Sequence, residues 1–358
     1  MRLFRFVAVI LAVISLVTFS TTLTSGQEGR SRTAAPQKSD QNKKNADQKS
    51  SVEQDEGPIQ LNAELVDIVF TVLDERNRLV PNVKQDQLEV YEDGVQQEVR
   101  FFDKNTNVPI IAALLIDLSG SQEFVLPQEK DAAESFFQAA FRPGKDYGSI
   151  VTFRGETDLV QGLTSNTDRL TRSLRRLKRD LVFRGDEGAE SQGTSLYEAI
   201  HITSSEVLAD KTAKRITEGD DQFRYVIRKA MIVLTDGKDT TSQWTMKQAI
   251  EQANRYGILI YPIGIGDNFR FGEVDHKVLE DLARSTGGQA YFPKDETDLH
   301  NAFKQIQEEL SSQYIVGYEP KNIAKDGTFR KVEIRLKGNQ NWQVVHRSGY
   351  FAGDEKKH

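Results

Sequence analysis

No cysteine occurs anywhere in the 358 residues, which excludes disulfides, zinc–thiolate sites and thiol nucleophiles together. The absence does not place the chain in a reducing compartment, because exported proteins also manage without cysteine. Histidine is nearly as scarce: His201, His276, His300, His346 and His358 form no spaced pair that points to a metal or a general base. A glycine loop able to cradle phosphate is missing too. Gly264-Ile265-Gly266 follows a strand pattern but lacks the downstream glycine and helix start of a dinucleotide site. Basic residues are not in excess. A net charge of -6 and a sequence pI near 5.6 argue against a general nucleic-acid binder. The one basic run, Thr171 to Arg179, spaces Arg172, Arg175, Arg176 and Arg179 to share a helix face, and a solvated face is the simplest reading.

Long apolar runs are confined to the N-terminus. Arg2 and Arg5 precede an almost unbroken apolar stretch from Phe6 to Phe19, shorter than the roughly 20 residues a membrane span needs but right for a signal-peptide core. Small and polar residues follow, so residues 1–26 read as a signal peptide, with an uncleaved N-terminal anchor as the competing reading and the only expected membrane contact. Either reading places the folded part outside the cytoplasm, periplasmic or extracellular. Residues 27–57 have almost no large apolar side chain and cannot offset the entropy of ordering, which makes them a disordered linker.

Two kinds of pattern alternate in the remainder. Residues 58–106 read as a small β unit: Leu65 to Leu73 alternates apolar and polar, and Leu88 to Tyr91 and Gln96 to Phe102 are two more strands about the turn Glu92-Asp93-Gly94. From 107 to 312 the period changes. Ile110 to Ile116 is continuously apolar, as in a central parallel strand. Strands at Tyr147 to Phe153, Ala230 to Thr235, Ile258 to Ile265 and Gln289 to Phe292 then alternate with helices near Pro127 to Ala140, Asp168 to Leu177, Ser195 to Leu208, Thr245 to Tyr256, Val278 to Ser285 and Glu296 to Leu310. This order predicts an α/β, doubly wound, mostly parallel sheet with ligands at the carboxyl ends of its strands. Residues 313–358 return to β patterns at Tyr314 to Tyr318, Val332 to Leu336 and Trp342 to His346. Each β flank alone is marginal, so the two are expected to pair as one small sandwich with the α/β domain inserted between them.

The chemistry gathers at strand ends. The first central strand ends in Asp117-Leu118-Ser119-Gly120-Ser121, Gly193-Thr194-Ser195 precedes a helix, and Thr235-Asp236-Gly237 follows a strand. Two carboxylates and three hydroxyls converging on one point make a hard-oxygen site for Mg²⁺, with Mn²⁺ or Ca²⁺ as alternatives. Hydroxyls carry no charge, so such a site leaves a cation only partly neutralised. Asp239, Thr240, Thr241 and Ser242 lie close after Asp236 and could widen the site, but a polar loop into the next helix is the simpler reading. Taken singly, Asp117 and Ser119 could merely cap a helix or bind loop amides.

In this order, Asp117, Ser119 and Ser121 resemble the Asp-x-Ser-x-Ser signature of the von Willebrand factor type A family, and Thr194 and Asp236 resemble the later threonine and aspartate of its metal-ion-dependent adhesion site. The resemblance covers about Pro109 to Leu310. It implies that Ser119 and Ser121 bind the metal directly, that Asp117 and Asp236 hold it chiefly through water, and that Thr194 binds it in the ligand-ready state. A sixth position would be left for an Asp or Glu of a protein partner. The lead-in Val90-Tyr91-Glu92-Asp93-Gly94 and the closing Arg347-Ser348-Gly349-Tyr350 also resemble the VWFA-related family first described from acidobacteria. The expected function is thus an exported, metal-dependent protein-binding module of adhesion type rather than an enzyme. A serine hydrolase would need a histidine base in a strand-end loop, and a metallohydrolase would need stronger ligation. An exported structural protein with a fold-stabilising metal is the remaining alternative.

Overall fold

The structure, a computed structural model, describes residues 65–76, 78–104, 108–119, 125–183, 193–209, 227–266, 273–338 and 341–353. The expected signal peptide, linker and Ser121 lie outside the described residues. Alternating side chains build the first strands: β1 (Val66–Leu73), β2 (Leu88–Glu92), β3 (Val95–Gln97) and β4 (Val99–Asp103). Asp93 and Gly94 both take positive φ, 47° and 82°, the conformation that a two-residue hairpin between β2 and β3 requires. The single strand expected over Gln96 to Phe102 is two strands, and they belong to different sheets.

The α/β part follows as β5 (Ile110–Asp117), α1 (Leu126–Ala140), β6 (Tyr147–Phe153), β7 (Thr157–Thr164), α2 (Thr167–Phe183), α3 (Leu196–Ile202), β8 (Arg228–Thr235), α4 (Met246–Arg255), β9 (Ile258–Gly264), α5 (His276–Thr286) and α6 (Glu296–Ser311). The five strands order as β7-β6-β5-β8-β9. β5 is parallel to β6 and β8, and β9 is parallel to β8. Every residue of β5 is buried because helices cover both faces of the sheet. Leu114 packs with α1, α2 and α6 through Phe137, Leu174 and Phe303. Its neighbour Leu115 packs with α3, α4 and α5 through Leu196, Ala253 and Leu282.

Two features depart from the sequence expectation. β7 was not foreseen; it is an antiparallel edge strand beside β6, and its mixed, half-exposed residues give no continuous apolar run. The strand expected over Gln289 to Phe292 reduces to a single bridge between Tyr291 and Ile263. Tyr291 donates to the Pro262 carbonyl at 2.9 Å, and Gly264 donates to the Tyr291 carbonyl at 2.8 Å. Extending that ladder would require an N–H from Pro262, which has none.

The chain then returns to β10 (Tyr314–Tyr318), β11 (Phe329–Leu336), β12 (Gln343–His346) and β13 (Gly349–Phe351). Two four-stranded sheets result, β12-β1-β10-β4 and β13-β11-β2-β3. Both mix strands from before and after the α/β segment, and their inner residues Phe70, Val90, Tyr314, Val316 and Ile334 share one core. Buried Arg228 donates to the Leu310 carbonyl at 2.9 Å and the Gln313 carbonyl at 3.2 Å. It thereby satisfies the end of α6 where the chain re-enters the sandwich.

Candidate metal centre

β5 delivers Asp117 to the carboxyl edge of the sheet, with its side chain wholly buried. One carboxylate oxygen accepts from the Ser119 amide at 2.8 Å. The other accepts from the Thr235 hydroxyl at 2.7 Å, and the Ser119 hydroxyl also bonds this carboxylate. These donors are neutral. Burial therefore dominates and pushes Asp117 up to about 6, despite the hydrogen bonds, with the Asp236 charge adding to the rise. A rise of this kind means that burial disfavours the charged carboxylate more than its hydrogen bonds favour it.

Asp236 follows β8 directly and is also buried. The Lys238 amide donates to it at 3.1 Å, and the half-exposed Lys238 ammonium stands 3.8 Å from its other oxygen. Gly237 takes a φ of +85° to turn the chain here, a conformation that costs glycine nothing.

Thr194 sits immediately before α3 and reaches the same loop cluster. Its amide donates to the Thr240 hydroxyl at 2.8 Å, and its carbonyl accepts from the amides of Thr240 at 2.8 Å and Thr241 at 3.1 Å. Among the described residues its hydroxyl has no hydrogen-bond partner. The approach is close enough that a Cβ on Gly193 would lie 2.1 Å from the Thr240 hydroxyl oxygen. Ser195 is committed elsewhere, with both amide and hydroxyl donating to the Arg154 carbonyl at 2.7 Å.

Asp117 and Ser119 are thus hydrogen-bonded, Asp236 lies near enough for its charge to act on Asp117, and Thr194 is tied to the segment after Asp236. Sequence reasoning treated Asp239 to Ser242 as a plain polar loop. Here Asp239 accepts from the Tyr197 amide at 2.9 Å and Ser242 accepts from the Glu198 amide at 3.0 Å. Both satisfy orphan donors in the first turn of α3. Thr235 and Glu129 were missed as well. Only a repeat of hydroxyl residues after Asp236 hinted at the loop, and nothing local marked Glu129.

The donor set suits a hard cation. Among the described residues no three Asp, Glu or His side chains converge to hold a metal unaided. A cation here would depend on hydroxyls and water together with the two aspartates, as expected for Mg²⁺ or Mn²⁺.

A family model described as the von Willebrand factor type A domain matches residues 113–305, more than half of the chain. The chain belongs to the von Willebrand factor type A domain family. No curated protein matches it. Among solved structures, the type A domain is similar to the conserved hypothetical protein BatB of Bacteroides thetaiotaomicron, at 18% identity over 57% of this chain and 100% of that one, with a TM-score of 0.41. Proximal thread matrix protein 1 from the mussel byssus, in a structure titled as having a zinc-occupied MIDAS motif, matches at 14% identity over 61% of this chain and 49% of that one, with a TM-score of 0.43. A von Willebrand factor type A protein of Catenulispora acidiphila matches at 14% identity over 80% and 75%, with a TM-score of 0.43.

Proposed function

We propose that the loops at the carboxyl edge of the type A sheet hold a divalent cation, and that the cation binds a carboxylate of a protein partner outside the cytoplasm. The observation that carries this reading is the pair of buried aspartates, Asp117 and Asp236, whose charges oppose each other, with the half-exposed Lys238 ammonium 3.8 Å from Asp236. Two buried charges of one sign are costly unless a cation joins them. Mg²⁺ fits first, with Mn²⁺ and Ca²⁺ as alternatives. Ser119, Ser121 and Thr194 would be direct ligands through their hydroxyls, and Asp117 and Asp236 would act chiefly through water. Neutral ligands leave the ion a net positive charge, which an Asp or Glu of the partner completes. Export rests on the apolar N-terminal run. No helix among the described residues is long and apolar enough to cross a membrane.

Arg169, Arg172 and Arg176 on α2 line a cavity of about 340 Å³ with Gln161 and Ser173, and this basic surface would steer an acidic partner at low salt. A pull-down from the native exported fraction tests the reading. An acidic partner is retained with Mg²⁺, released by EDTA and weakened by Thr194→Ala, which removes a neutral ligand and no core contact. Retention that survives both EDTA and this substitution puts recognition elsewhere on the molecule.

A further inference from the structure

Glu129 stands out among the described side chains of the type A domain. It lies in the first turns of α1 and is completely buried. Both carboxylate oxygens are buried without a hydrogen-bond partner. It is spaced three residues after Leu126, and three and four before Ala132 and Ala133, all of which pack into the sheet core. The side chain therefore lies on the core face of the helix, where a carboxylate has no packing advantage over leucine. An ionised carboxylate left alone in such a place costs several kcal/mol. An orphaned buried group of this kind calls for a specific cause.

Its surroundings supply one. α1 is the helix that follows the Asp117–Ser119 segment, and Glu129 lies close enough to Asp117 for the two charges to repel. Asp117 in turn feels Asp236. Three acids are thus electrostatically linked, and Lys238, half-exposed, stands 3.8 Å from Asp236. Glu129 is not a third direct ligand, because no three acidic or histidine side chains among the described residues converge to hold a metal. Charge acts over a longer range than coordination, especially where water is excluded.

We propose that Glu129 is a positioning residue of the cation site, a buried outer carboxylate whose counter-ion is the divalent cation bound at Asp117, Ser119, Thr194 and Asp236. It raises the affinity of the site without touching the metal, and in the metal-free chain it is a destabilising burden. The inference rests on the cation-site reading above and goes beyond it. Outer groups of metal sites typically change metal affinity by about ten- to a hundredfold.

Calorimetric titration of the full chain with MnCl₂, paired with thermal melting in EDTA, tests it. The unsubstituted chain binds Mn²⁺ and Asp117→Ala does not; no Mn²⁺ binding by the unsubstituted chain overturns the site itself. With that arm positive, Glu129→Gln binds Mn²⁺ about tenfold or more weakly, yet melts in EDTA at a temperature equal to or higher than the unsubstituted chain. Unchanged Mn²⁺ affinity in Glu129→Gln overturns the proposal, since the amide keeps the shape and removes only the charge. So does a lower melting temperature in EDTA, which would make Glu129 a structural group. Glu129→Met, which needs no hydrogen bonds in the core, provides the same two readouts if the amide variant does not fold.

Discussion

At the scale of single residues, the centre depends on how closely two loops can approach. Gly193 is the clearest case. An alanine there would bring a Cβ within 2.1 Å of the Thr240 hydroxyl oxygen and 2.5 Å of a Thr241 methyl carbon. Both threonines are fixed by hydrogen bonds to Thr194, so the clash cannot be relieved by rotating one side chain. Gly193→Ala should cost about 1–3 kcal/mol, the usual penalty for overpacking, and a thermal melt should show it. An unchanged melting temperature would mean that the Thr194–Thr240 brace is loose. Asp117, Ser119, Ser121, Thr194 and Asp236 are candidates from the sequence because they stand near the ends of predictable elements in an order that resembles a known family. Glu129 and Thr235 could not be named from it. Their roles arise from contacts between distant segments, such as the Thr235 bond to Asp117, and no local periodicity encodes such a contact.

At the scale of elements, apolar continuity made β5 and β8 easy to read, and amphipathic spacing did the same for the helices. β7 escaped because an edge strand with one open side needs no such signal. The end of α6 has a property that is visible only in three dimensions. Glu309 is buried against the Tyr261 hydroxyl, which donates to it at 3.0 Å. Burial pushes it up to about 7 from an ordinary 4.5, with the hydroxyls of Tyr261, Thr71 and Tyr291 pulling back only in part. Between these two values the folded chain binds more protons than the unfolded chain. Stability from this group is therefore complete below about pH 4.5 and is lost as pH rises through about 7, a change on the order of 3 kcal/mol. Glu309→Gln keeps an acceptor for Tyr261 and removes the charge. In EDTA, urea unfolding at several pH values should show the variant gaining on the parent as pH rises, and more stable than it at pH 8. A constant difference between the two across this range would show that Glu309 does not titrate there.

At the scale of the whole molecule, the sandwich is a joint product of the two ends of the folded chain. Among the described strands, β1 pairs with β10 and β12, with one further bridge from its Leu73 to Leu79, and β4 pairs with β10. A chain truncated before Tyr314 removes every partner strand that the described residues give β1 and β4, and leaves β2 with β3 alone among them. Hydrogen exchange in that truncation should show the β1 amides losing protection, whereas β5 and β8, which pair within the α/β sheet, keep most of theirs. Full protection of β1 would require another partner for it. Marginal flanks that cannot stand alone were legible in the sequence, but the crossing from one sheet to the other at Glu98 was not. Both sheets have apolar inner faces, and composition does not distinguish them.

A cation at the carboxyl edge of the type A sheet is central to the proposed function. A ligand bound only by the folded state stabilises it by mass action, by about 2.7 kcal/mol at a hundred times its dissociation constant. The most direct test is therefore a thermal melt of the full chain across millimolar MgCl₂ and MnCl₂ against EDTA, with Asp117→Ala alongside. The melting temperature should climb with metal in the unsubstituted chain and stay flat in Asp117→Ala. A flat response in the unsubstituted chain, or an equal climb in both, would contradict the proposed function.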